Sequence, residues 1–158
     1  MSARAQSERP MHRHFPAPLS VLGTLIAGLA LQRWHPLGSL EGAPRWALGS
    51  ALCAAGFAFG LSAVVSMRRH RTSPSPFHRP NALVADGPFR FSRNPMYVSM
   101  VLLVAGAAVL LADPWLLVLL PVLVIAILFG AILPEERTMS EVFGEEFARY
   151  RAKVRRWL

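Results

Sequence analysis

Residues 87–97 read Gly-Pro-Phe-Arg-Phe-Ser-Arg-Asn-Pro-Met-Tyr, and the pair Glu135-Glu136 stands where the last long apolar run ends. These residue types can do chemistry together. Arg90 and Arg93 can form charge-assisted hydrogen bonds to a carboxylate or a phosphate. Asn94 offers a donor and an acceptor. Pro95 opens a helix at a position where its missing N–H costs little. Tyr97 brings an aromatic face with a hydroxyl, and Glu135 and Glu136 can hold an ammonium group or a ribose. A ligand matched to this set is zwitterionic, with a ring to stack and a cationic centre. S-adenosylmethionine carries those groups, and so do other nucleotides in part, so the constellation alone does not fix the ligand. Each residue taken singly has a plainer use: arginines as membrane-surface anchors, Pro95 as a helix starter, Tyr97 as an interfacial aromatic, the acids as helix openers. Charged groups at a membrane boundary are costly to desolvate, and their concentration at one end of two apolar runs points to a site.

The elements that must position them are helical and apolar. The chain has 158 residues, 53% of them hydrophobic, with a net charge of +8. That size suits one domain, and the apolar share is high for a soluble protein. Four apolar runs lie at roughly 17–32, 46–67, 96–112 and 114–133. A span of about 20 residues crosses a hydrocarbon core of about 30 Å. The second and fourth runs reach that length comfortably, and the first and third need help from their flanks. Fifteen of the 17 basic residues fall in the N-terminal tail, the second connection and the C-terminal tail; only Arg33 and Arg45 lie in the first connection and none in the third. By the positive-inside rule both termini and the second connection are cytoplasmic; for a bacterial chain the membrane expected is the plasma (inner) membrane. A basic start followed by an apolar run with Gly28 and Ala30 also has the form of a signal peptide, but cleavage would leave three spans and disturb that charge pattern.

Several function classes are disfavoured. The basic residues flank apolar runs and form no stacking platform, so they are topogenic charge near anionic headgroups and no nucleic-acid partner is expected. Cys53 stands alone inside the second run, as a packing residue without a disulfide or metal framework. His12 and His14 lie in a tail (residues 1–15) expected to be poorly ordered, with no third ligand for a metal. A transporter would be expected to carry an acidic or otherwise polar coupling residue deep inside a span, and no charged residue lies near the middle of any of the four runs. A non-catalytic membrane subunit is a rival class. So is a membrane reductase using a nicotinamide nucleotide, which would require further basic contacts for its phosphates.

Small residues in the second run (Gly49, Ser50, Ala51, Ala54, Ala55, Gly56, Gly60) predict close helix packing. Residues 72–86, with Pro74, Pro76 and Pro80, predict a long connection without helical periodicity. Asp113-Pro114 predicts a tight hairpin between the third and fourth spans, and Pro121 a weakened point in the fourth. After Pro134 the stripe Met139, Phe143, Phe147, Tyr150, Val154 and Trp157 keeps to one helical face, which predicts an amphipathic helix on the membrane surface or across the cytoplasmic mouth.

The C-terminal half, about residues 76–158, resembles the integral-membrane methyltransferases that include the isoprenylcysteine carboxyl methyltransferases and phospholipid N-methyltransferases. Those carry a pattern like G-x-Y/F-R-x-x-R-H-P-x-Y-x-G before one span, Glu-Glu after the next, and then F-G-x-x-Y-x-x-Y. The matching residues are Gly87, Phe89, Arg90, Arg93, Asn94, Pro95, Tyr97 and Ser99, then Glu135-Glu136, then Phe143-Gly144, Phe147 and Tyr150, closing on Arg156-Trp157. Asn94 stands where many members have His, Ser99 where they have Gly, and Phe147 where they have Tyr. Asn94 cannot titrate near neutral pH, so no catalytic base is assigned, and His78 in the long loop is the alternative. Ser99 would narrow the space for a cofactor.

The expectation is therefore an all-α polytopic membrane protein of one domain, with four transmembrane helices plus a C-terminal amphipathic surface helix. The resemblance implies S-adenosylmethionine as cofactor, contacted by Arg90, Arg93, Asn94, Pro95, Tyr97, Glu135 and Glu136, with no metal. It implies methyl transfer to a lipophilic or small acceptor (carboxylate, amine or thiol) at the cytoplasmic membrane face.

Overall fold

The structure, a computed structural model, describes residues 17–38, 42, 44–72 and 81–158. The tail with His12 and His14, and the loop segment with His78, lie outside the described residues. The described residues are all-helical, without a strand. Helix α1 is Ala17–Trp34, α2 Pro44–Arg69, α3 Pro95–Leu110, α4 Pro114–Ile127 and α5 Leu133–Lys153; a short 3-10 turn, Gly87–Arg90, precedes α3. These helices follow the four apolar runs closely.

Glycine decides how α2 and α3 meet. A Cβ added at Gly106 would stand 2.9 Å from the Cys53 backbone nitrogen and 3.0 Å from the Gly49 carbonyl oxygen, so the two backbones touch where no side chain intervenes. Cys53 is the packing residue its position suggests. On the same face Ser99 lies against Gly60, where an added Cβ would meet its hydroxyl. Ser99 thus fills the α2–α3 contact, on the other side of α3 from Tyr97.

The α3–α4 hairpin is as tight as Asp113-Pro114 predicts. Asp113 Oδ1 accepts from the Trp115 amide at 2.9 Å and the Leu116 amide at 3.3 Å, capping α4. Trp115 Nε1 donates to the His35 carbonyl at 2.7 Å and ties down the end of α1. Farther along, Gly28 leaves room for Leu116, and Ala17 joins Val104, Leu123, Ile127, Ala131 and Ile132 in the buried core. Helix α1 is thus an integral part of the bundle.

The outward faces are apolar as well. Leu22, Ile26 and Leu29 on α1, Leu48, Phe57 and Leu61 on α2, and Val118, Val122 and Ile125 on α4 are all exposed. So large an uncovered apolar surface suits lipid rather than water. Among the described residues two helical stretches are long and apolar enough to cross a membrane: α2, and the 40 residues from Pro114 to Lys153. Helix α1 has 18 residues and α3 has 16, or about 27 and 24 Å of rise.

That 40-residue helix departs from expectation. The fourth run and the tail helix form one rod, joined by a π-helical turn at Leu128–Ile132 in which the Leu133 amide reaches back to the Leu128 carbonyl. Pro121 lies within α4 without ending it. Gly144, at φ 49° and ψ −118°, then breaks α5. Only glycine adopts that conformation readily. The stripe beyond it turns inward: Phe147 and Tyr150 are buried, Val154 is extended, and Trp157 packs against the core. The tail helix is therefore bent rather than uninterrupted, and of its two expected placements the stripe favours closing on the protein itself.

Candidate functional site

The charged residues gather at one end of the bundle, where α3 begins and the apolar part of the long rod ends at Leu133. The 3-10 turn is seated by Gly87, at φ 53°, with an added Cβ meeting Ser66 of α2. Tyr150 donates its hydroxyl to the Phe89 carbonyl at 2.7 Å, and burial pushes its phenol up to about 12, so it stays a neutral donor. The chain then turns into α3 with Pro95 buried at its first position. The Asn94 carbonyl accepts from the amides of Tyr97 and Val98, but the Asn94 side chain does not cap the helix.

Asn94 instead holds the segment that follows α5. Its Nδ2 donates to the Arg156 carbonyl at 3.0 Å, which also accepts from the Ser92 hydroxyl at 3.3 Å. The Arg93 amide donates to the Arg155 carbonyl at 2.9 Å. Residues 92–94 and 155–156 therefore lie side by side, although they are far apart in sequence.

Two acid-centred groups follow. In the first, Tyr97 donates its hydroxyl to Glu135 Oε1 at 2.5 Å. Glu135 stands beyond the apolar run; burial pushes its carboxyl up to about 7, against the pull of the Tyr97 hydrogen bond. In the second, Glu136 is buried between two guanidinium groups. Arg156 grips it with both arms, Nε to Oε1 at 3.0 Å and Nη2 to Oε2 at 2.8 Å, a bond that holds the Arg156 cation above its ordinary range. Arg93 reaches Oε1 through Nη2 alone, at 3.3 Å. Its side chain is only 9% exposed, and Nε and Nη1 find no partner among the described residues. Burial lowers the Arg93 pKa, partly offset by Glu136, yet a guanidinium stays charged at any physiological pH.

The cluster thus combines a buried cation with two free N–H donors and an acid–phenol pair one residue away on the rod. It suits a ligand with an anionic and a cationic group. Of the residues singled out in the sequence, Arg93, Asn94, Pro95, Tyr97, Glu135 and Glu136 come together. Arg90 does not: it is exposed at the end of the 3-10 turn and bonds none of the described residues. Sequence reasoning gave no role to Ser92, which is fully buried, and it met Arg156 as one of the tail's basic residues and as the close of a motif. A basic residue just beyond a helix carries no signal that its partner is a buried glutamate.

The site's spacing and membrane setting bear comparison with known families, and the family model described as phospholipid methyltransferase matches residues 44–146. The chain belongs to the phospholipid methyltransferase family. No curated protein and no solved structure matches it. Within this phospholipid methyltransferase-family chain the match takes in α2, α3, α4 and the Glu135-Glu136 pair, and it ends before Phe147, Tyr150 and Arg156. The grip on Glu136 thus comes from outside the matched segment.

Proposed function

We propose that the protein is an S-adenosylmethionine-dependent methyltransferase that modifies a lipophilic acceptor at the cytoplasmic face of a membrane it crosses four times. The family supports methyl transfer. The observation that carries the rest is Arg93, buried with two unpartnered donors beside the Glu135–Tyr97 pair. Those donors fit the carboxylate of S-adenosylmethionine, and Glu135 fits its ammonium or ribose; Tyr97 holds Glu135 in place. Bound there, the cofactor supplies an electrophilic methyl group. Arg90 would serve as a surface cation near headgroups.

The chain's own contribution is positional. Transfer needs nucleophile, methyl carbon and sulfonium in line, which binding groups on a rigid frame secure without a covalent intermediate. Asn94 serves as a strut for the segment after α5 and takes no part in proton transfer. A carboxylate or thiolate acceptor needs no base, and for a protonated amine Glu135, with its raised pKa, is the group placed to take a proton. The four-span arrangement, with both termini cytoplasmic, rests on the four apolar runs and on the basic residues clustered at the site's end. Helices α1 and α3 reach full thickness with their polar flanks and with local thinning of the bilayer.

Calorimetry of S-adenosylmethionine binding to the purified protein in detergent tests the reading. Saturable binding, weakened at least about tenfold in Arg93→Ala and Glu135→Gln, is the expected result. A folded wild type that binds none overturns it.

A further inference from the structure

Glu136 has two cationic neighbours and treats them unequally. Arg156 makes two charge-assisted bonds with it at 2.8 and 3.0 Å; Arg93, the more deeply buried of the two, makes one longer contact at 3.3 Å and leaves Nε and Nη1 unbonded. A buried carboxylate beside a buried guanidinium would ordinarily take two of its N–H groups in a fork. Here the fork belongs to Arg156, whose main chain is itself pinned by Asn94 and Ser92.

We infer that Arg156 is a positioning residue: by occupying Glu136 it keeps Glu136 from pairing fully with Arg93, and so holds two Arg93 donors free for the carboxylate of the bound cofactor. Charge points the same way. Arg93, Arg156 and Glu136 together carry one net positive charge, which an anion neutralises; without Arg156 the remaining pair is neutral and Arg93's donors are taken up. The inference rests on the proposed cofactor, and it assigns a role to a residue beyond the family-matched segment.

The test compares S-adenosylmethionine with its decarboxylated form, which keeps the sulfonium, ribose, adenine and amine. Binding of both is measured by calorimetry for wild type, Arg156→Lys and Arg156→Ala, with folding checked by circular dichroism. Wild type should favour the carboxylate-bearing compound by roughly tenfold to a hundredfold. Arg156→Lys keeps the charge but cannot form the fork, so the preference should shrink; in Arg156→Ala it should fall to about twofold or less. A merely structural role would weaken both ligands alike. Uniform weakening with the preference intact, or a wild type that binds both compounds equally, overturns the inference and leaves the methyltransferase reading standing. A folded wild type that binds neither overturns both.

Discussion

Glu136 should be the least replaceable charge in the protein, and the structure says by how much. Its side chain is 10% exposed, between Arg93 at 9% and Arg156 at 36%. Glu136→Ala strands the Arg93 cation in a buried place with no counter-charge, a loss of about 3–5 kcal/mol for a broken buried pair. Arg156→Ala removes two bonds from a half-exposed partner, while Glu136 still has Arg93 to turn to; its cost is about 1–2 kcal/mol. Arg93→Ala leaves the Arg156 fork intact and should also stay near about 1–2 kcal/mol. The gap of about 2 kcal/mol is roughly a thirtyfold difference in the folded-to-unfolded ratio. Titrating each variant from mild micelles into a denaturing detergent, and following helix content, reads that gap directly. Equal losses for Glu136→Ala and Arg156→Ala, or a larger loss for Arg156→Ala, would refute the assignment of Glu136 as the shared counter-charge of a buried arginine.

Other outcomes follow from single contacts. Gly106→Ala puts a methyl 2.9 Å from the Cys53 backbone nitrogen and should cost about 1–3 kcal/mol in the same titration, whereas Gly23→Ala, with open space around it, should be neutral or stabilising by up to about 1 kcal/mol. Tyr150→Phe deletes the bond to the Phe89 carbonyl, costs about 1–2 kcal/mol, and should speed trypsin cleavage after Arg90. Glu135, with a folded pKa raised to about 7, favours its protonated form in the fold. Its contribution is fully present below the unfolded value and is lost as pH rises through the folded one. Melting temperature should therefore fall between about pH 4.5 and 7, and Glu135→Gln should flatten that slope.

Legibility in the sequence tracked the physical source of each feature. The helices were readable because apolar runs and their proline and aspartate stops are local signals: Asp113-Pro114 marks the hairpin, and Gly49, Gly56 and Gly60 mark the face that meets α3. The grouping of Arg93, Tyr97 and the two acids was suggested by charge at a boundary. Its internal pairing was not, because neither Tyr97–Glu135 nor Arg156–Glu136 can be told from other pairings by spacing. The stripe from Met139 to Trp157 showed a helix but not its bend, for a definite reason. Helical periodicity assumes one unbroken repeat, and Gly144 interrupts it with a backbone conformation that the side-chain pattern does not record. The π-helical turn is equally invisible, since its residues, Leu128 to Ile132, are as apolar as their neighbours.

That turn separates the long rod into two parts with independent rotational phase. One extra residue in an unbroken α-helix swings everything after it by about 100° around the axis, and the wider π turn takes up such a residue. The lipid-facing pattern of α4 can thus be set by the bilayer while the acids beyond it are aimed by a separate setting. Rewinding 128–132 as plain α-helix with no residue removed would leave the apolar contacts of α4 before it in place. It would carry Glu135 and Glu136 round by about 100°, away from Tyr97 and Arg93. In this protein the direction in which the acids point is encoded by the winding of one turn inside the rod, and no acid need change for that direction to be lost.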